Sequence, residues 1–329
     1  LDNSCGYGSF LDFDIPNKKI GADVDKNALE KVKADAVLIE HNSLAKISRS
    51  DYGLSDDEKV VAVGNPPYND ATSIIKNRIK RKRQESDAIK TRDLGTSFLL
   101  SYNMLKADFI CVLHPLSYLI KQTNFNALGE FTKNYKLLDC EIISSKEFTD
   151  KISATFFPIL VALYGRGKMT YDFIENYDFK VENKSFVMKD FVSIGNFISK
   201  YPNQKRVSEK DAVAKFYTMR DINALKRSKT FVKNITSNTV FVREEKLDYY
   251  CYVDIFKKFI PHIPYYFGNC DIMINDDKFR RIKDCFVRYS GEENPELKKY
   301  GREVRDYKEK ISDYFAELLG EHYVYGKRF

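Results

Sequence analysis

Tryptophan is missing from all 329 residues, and the chain holds only four histidines and six cysteines. The cysteines stand apart with no C-x-x-C pair, and the histidines are equally dispersed. That spacing excludes the usual structural zinc sites and offers no disulfide framework. Nowhere does an apolar run approach the roughly 20 residues needed to cross a bilayer. The first residues also lack the pattern of a signal peptide. Scattered thiols in so long a chain are expected to be reduced, so a cytoplasmic protein is expected, with neither membrane nor metal as partner. Leu1 is not an initiator, so a preceding segment is expected.

Apolar residues make up 43% and charged residues 31%, enough for packed cores under a solvated surface, and the length suits two domains. The net charge of +7 is unevenly spread. Residues 1–150 carry 21 lysines and arginines against 22 acidic residues, whereas the remainder carries 33 against 25. A basic surplus in the second half suits a domain that grips a polyanion, although an ordinary surface can carry the same excess.

Short, nearly continuous apolar runs at 19–23, 36–40, 60–64 and 109–113 read as parallel strands covered on both faces. Helical patterns at 26–33 and 94–106 lie between them, and runs at 137–143 and 155–164 add two more strands. The alternation predicts an α/β fold with a Rossmann-like open sheet and ligands at the carboxyl ends of its strands. Gly165 to Lys168 reads as a boundary, giving a first domain over 1–167 and a second over 168–329. The second has a basic, aromatic, mixed α/β texture, with one long charged helix expected over 295–319.

Four motifs carry chemistry. Asp2 to Phe10 (DNSCGYGSF) ends a strand with an acidic residue and follows it with G-x-G, a turn at which backbone can approach a ligand. Its spacing is not that of the dinucleotide fingerprint, and no Walker lysine follows. In Ile20-Gly21-Ala22-Asp23-Val24-Asp25, Asp23 can accept from both hydroxyls of a ribose, while Asp25 better suits a helix N-cap. Asn42, after the third strand, suits either an adenine edge or a simple turn. Asn65-Pro66-Pro67-Tyr68 leaves the strand at 60–64 directly. Two prolines there make a rigid extended turn. They aim the Asn65 side-chain carbonyl and the Pro66 backbone carbonyl as two acceptors, with Tyr68 as a stacking face.

These residues resemble the amino-group DNA methyltransferases, specifically the gamma-class adenine-N6 enzymes. Asp2 to Phe10 is similar to their D-P-x-C-G-x-G-x-F motif with Asn3 in place of proline, and Asn65 to Tyr68 matches their D/N-P-P-Y/F motif. The resemblance implies S-adenosylmethionine as cofactor. Asp2, Ser4, Gly6 and Gly8 would line its methionine end, Asp23 its ribose, and Val24 and Asn42 its adenine. Asn65, Pro67 and Phe98 (in Asp93-Leu94-Gly95-Thr96-Ser97-Phe98) would complete its site. Phe148, ahead of Lys151 to Ala154, would sandwich a flipped base against Tyr68. About 60 residues separate the two main motifs, too few for a recognition domain, so recognition of double-stranded DNA is expected after residue 165. The family's cofactor-contacting segment ahead of the glycine motif is not among these residues, and Pro16 leaves little room for a helix after Gly8. Lys80, Arg81, Lys82 and Arg83 suit phosphates, and Arg280 with Arg281 suit base or backbone contacts. A cognate restriction endonuclease is a partner the resemblance allows. Methyltransferases of RNA or of a protein glutamine carry the same tetrapeptide, and an idle nucleic-acid-binding subunit could keep the fold.

Overall fold

The computed structural model describes residues 1–14, 17–45, 47–68, 85–148 and 156–326. They form two compact units, one of residues 1–143 with 159–188, the other of residues 144–158 with 189–329.

In the first unit, β1 (Ile20–Asp23) and β2 (Val37–Glu40) pair in parallel, with Ile20 opposite Val37. β3 (Val61–Gly64) pairs in parallel with β4 (Phe109–Pro115), Val61 opposite Phe109. β5 (Tyr135–Ser144) and β6 (Pro158–Arg166) complete the order β3-β4-β6-β5, with β6 antiparallel to β4. Leu1 and Asp2 join these two sets. The Asp2 N–H donates to Ile20 O at 2.9 Å and the Ala22 N–H to Asp2 O at 2.8 Å. On the other side the Leu1 amino group donates to Val61 O at 2.8 Å and the Val63 N–H to Leu1 O at 2.8 Å. Both ladders are parallel in pattern, so the sheet runs β2-β1-Leu1/Asp2-β3-β4-β6-β5. The chain leaves Asp2 toward one side for β1 and β2, then crosses to the other for β3. That reversal is the switch point at which open α/β sheets bind ligands. The fold is mixed α/β with a Rossmann-like sheet.

α1 (Lys26–Leu29) is capped by Asp25, whose carboxylate accepts from the Asn27 N–H at 3.0 Å. It ends before the predicted Lys33. α2 (Leu94–Met104) is capped by Asp93 through the N–H groups of Gly95 and Thr96, and buries Leu99 and Tyr102 completely. Ala62, Ile110, Val112, Ala162 and Tyr164 are fully buried in the sheet. β2 departs from expectation: Val37 and Leu38 are exposed, because the strand lies at the end of the sheet order and is not covered on both faces. β7 (Asp178–Val181) and β8 (Lys184–Val187) close the unit as an antiparallel hairpin.

The second unit is also mixed α/β. β9 (Val192–Ser193) pairs antiparallel with β12 (Met273–Ile274), and β10 (Ala214–Tyr217) with β11 (Thr239–Val242). Three helices, α3 (Leu247–Phe259), α4 (Asp276–Glu293) and α5 (Tyr307–Leu319), hold the core. Its centre is aromatic: the Tyr252 ring lies 5.1–5.8 Å from those of Phe279, Phe286 and Phe315, spacings that favour edge and tilted contacts. Phenylalanine and tyrosine supply the bulk that tryptophan does not. The single helix expected over 295–319 requires correction. A 3-10 turn (Pro295–Tyr300) ends at Gly301, and Asp306 takes a left-handed φ of 55° before α5 begins. The longer helix is α4, capped by Asn275 and kinked at Ile282.

Candidate active site

The carboxyl ends of β1, of the Leu1–Asp2 segment and of β3 stand side by side, so the first, second and fourth motifs meet at the switch point. Neighbouring strands are about 4.8 Å apart, which fits the span of one small ligand. After Asp2 the chain folds back. The Asp2 carboxylate accepts from the Ser4 N–H at 3.1 Å, and the Cys5 N–H donates to Ala22 O at 3.0 Å. Gly6 then takes φ +51° with nothing within 4 Å of where a side chain would begin, so its backbone is open to a close approach. Gly8 also has a packing role: at φ +80°, a Cβ there would fall 2.6 Å from Val32 Cγ1.

Asp23 is tied into that turn. Its carboxylate accepts from the Gly6 N–H and from the Asp25 N–H, each at 2.9 Å. One side chain therefore fixes the glycine turn against the end of β1, while Asp25 is spent on the cap of α1. Val24 beside it is 52% exposed and available as an apolar face. Asn42 Oδ1 accepts from the Leu44 N–H at 3.1 Å, the simple turn that its sequence allowed.

At the end of β3, Pro66 is buried and Pro67 exposed, while Asn65 and Tyr68 are half-buried. The Tyr68 hydroxyl donates to Asn65 Oδ1. Phe98 is buried one turn into α2. That helix start is braced by Tyr118, whose hydroxyl donates to the Asp93 carboxylate. His114, at the end of β4, stacks on Tyr118 with centroids 5.4 Å apart and lies 2.7 Å from the Tyr164 hydroxyl. Burial lowers its pKa to about 4, so it is neutral at physiological pH and acts as a packing element.

Phe148 belongs to the second unit and is 48% exposed. Arg280 and Arg281 are exposed on α4, and Arg280 is paired with Asp276 at 2.8 Å. Lys80, Arg81, Lys82 and Arg83 lie outside the described residues, as do Lys151 to Ala154. Sequence reasoning missed Tyr118, and also Tyr52 and Tyr102, which are buried and act on Asn3 and on Asp2 and Ser4 respectively. For Tyr102 and Tyr118 the signal was a phenol inside a largely apolar stretch, whereas Tyr52 sits in a polar run and offered none. Among the described residues no group of three His, Cys, Asp or Glu could hold a metal, and no helix is long and apolar enough to cross a membrane.

Comparison with known proteins assigns the chain to no family. No family model matches the chain, and no curated protein does. Among solved structures, a candidate class I S-adenosylmethionine-dependent methyltransferase from Listeria monocytogenes is 13% identical with a TM-score of 0.36, over 56% of this chain and 58% of its own. A candidate RNA methyltransferase from Pyrococcus horikoshii is 12% identical with a TM-score of 0.31, over 50% and 72%. A candidate DNA modification methyltransferase encoded within a prophage of E. coli is 13% identical with a TM-score of 0.32, over 50% and 45%. The chain thus spans well under two thirds of the length of the first and third of these.

Proposed function

We propose that this protein transfers a methyl group from S-adenosylmethionine to the N6 amino group of an adenine flipped out of double-stranded DNA. The observation that carries the reading is the adjacency, at one switch point, of an open glycine turn clamped by Asp23 and a rigid Asn65-Pro66-Pro67-Tyr68 turn leaving the next strand. The open backbone at Gly6 fits a ligand that must approach closely, and the buried Asp2 carboxylate suits a cationic one. Asp2, Ser4, Gly6 and Gly8 would hold the methionine end of the cofactor, Asp23 the ribose, Val24, Asn42 and Phe98 the adenine, with Asn65 and Pro67 completing the site. The cofactor supplies a methyl group made electrophilic by its sulfonium.

The chain's own residues supply alignment. Asn65 Oδ1 and the Pro66 carbonyl accept the two protons of the target amine, which turns its lone pair toward the methyl group and stabilises the charge that develops on nitrogen. Tyr68 stacks on the extruded base and so offsets part of the few kcal/mol that flipping costs. Residues 168–329 would carry target recognition, through exposed cations such as Arg280 and Arg281, with Lys80 to Arg83 on phosphates.

The test is methyl transfer from labelled S-adenosylmethionine to duplex DNA, RNA and protein. Transfer to DNA, localised to adenine N6 and lost in Asn65→Ala with the fold intact, is expected. Transfer to RNA or protein alone would overturn the substrate, and an Asn65→Ala rate within tenfold of the parent would overturn the role of Asn65.

A further inference from the structure

Beside the glycine turn lies a group of polar atoms of which the proposed cofactor site uses only Ser4. Asn3 Oδ1, Ser4 Oγ, Ser43 Oγ, Tyr52 OH and Tyr102 OH are all buried, and none has a hydrogen-bond partner among the described residues. Asn3, Ser43, Tyr52 and Tyr102 are each 2% exposed or less. They come from separate parts of the first unit: the turn after Asp2, the loop after β2, the 3-10 turn Arg49–Tyr52, and α2. They nevertheless converge. A Cβ placed on Gly64 would lie 2.9 Å from Asp2 Oδ1 and 3.5 Å from Tyr102 OH, so both reach the same lip of β3. Burial pushes the Tyr52 phenol up to about 12 while Ser43 and Asn3 pull it down, and Ser4 does the same for Tyr102. These side chains act on one another without meeting hydrogen-bond geometry.

The atoms share one chemistry. All five are oxygens, and the Asn3 amide nitrogen is already spent on Ser101 Oγ at 3.1 Å. Beside them the Asp2 carboxylate is 1% exposed and accepts from a backbone N–H, that of Ser4. Leaving one such oxygen unpaired in a core is costly, and five in one place are rare. A guest making two to four polar contacts satisfies them together.

We propose that Asp2, Asn3, Ser4, Ser43, Tyr52 and Tyr102 line a site for a small oxygen-liganded guest, ordered water or a monovalent cation, built under the turn that faces the switch point. Asn3 takes part only because it is not the proline usual at that position in the resembling family, since proline has no side-chain oxygen.

Thermal unfolding of the whole chain tests this without reference to methyl transfer, so its failure is separate from failure of the proposed function. Tyr102→Phe, Tyr52→Phe and the smaller change Ser43→Ala should each lower Tm by about 2–4 °C, because each removes a ligand of the guest. A Tm that is unchanged or raised in all three overturns the site, since deleting a hydroxyl that truly lacks a partner costs nothing. The parent protein, compared in sodium, potassium and tetramethylammonium chlorides at equal ionic strength, separates the two guests. A Tm several degrees higher in sodium or potassium, abolished by Tyr102→Phe, identifies a cation. Indifference to the salt, with the three variants still destabilised, identifies water.

Discussion

Replacing Tyr68 by phenylalanine should tighten substrate capture. The Tyr68 hydroxyl donates to Asn65 Oδ1, the atom proposed to accept the target amine. Entry of the amine therefore requires that bond to break, and the phenol must move to water. A neutral hydrogen bond of this kind contributes about 0.5–1.5 kcal/mol. Asn65 is half-buried, so water can take the place of the missing donor and the lower part of that range applies. The gain is then roughly two- to fivefold in affinity. Tyr68→Phe keeps the ring and its stacking, whereas Tyr68→Ala removes stacking that contributes about 1–3 kcal/mol. Fluorescence of a duplex carrying 2-aminopurine at the target position reads base extrusion directly. The expected order of affinity is Phe above Tyr above Ala. If Phe weakened capture as much as Ala, the hydroxyl would be touching the substrate and the competition argument would fail.

The two aspartates at the end of β1 should separate cleanly by calorimetry. Asp23→Ala removes the clamp on Gly6 and should weaken cofactor binding at least tenfold, whereas Asp25→Ala should cost about 1 kcal/mol of stability by removing an N-cap and leave affinity nearly unchanged. Burial pushes the Asp2 carboxyl up to about 6. Affinity for a cationic cofactor should therefore fall as pH drops through about 6, and the fall should vanish in Asp2→Asn. Because the raised value makes the protonated form the better fit to the fold, this group's contribution to stability increases over the same interval, so unfolding would not mimic the effect. Neutralising Lys80 to Arg83 should weaken cognate and random duplexes alike and flatten the salt dependence by roughly one unit for each phosphate no longer neutralised, whereas Arg281→Ala should cost more on cognate DNA. Titrations at several salt concentrations, with an unchanged slope for the first variant, would remove phosphate binding from that run.

The sheet is legible in the sequence because buried parallel strands leave continuous apolar runs, and β1, β3 and β4 begin within one residue of where those runs do. The helix expected at 295–319 fails because Gly301 and the left-handed Asp306 interrupt a charge pattern that reads as continuous. Asn275, followed at once by Asp276 and Asp277, marks a better start for a long helix. At the site, local chemistry is readable and cross-chain contact is not. Asp25 as a cap follows from Lys26 beside it, but the Gly6 bond to Asp23 spans 17 positions. The convergence of Ser43, Tyr52 and Tyr102 under Asn3 depends on tertiary packing that no spacing rule encodes.

Leu1 and Asp2 carry the four backbone bonds that fasten β1–β2 to β3–β4–β6–β5. The half of the sheet that carries Asp23 and the half that carries Asn65 are thus joined by main-chain bonds, beside the cluster in which Ile20 and Ala22 pack with Tyr52 and Leu105. Opening along this seam would part Asp23 from Asn65 and expose that cluster, a sub-global event of lower free energy than unfolding. The amides of Ala22 and Val63, which donate to Asp2 and Leu1, would report it by exchanging hydrogen together. A ligand spanning the switch point would slow both, acting as a clasp across the seam.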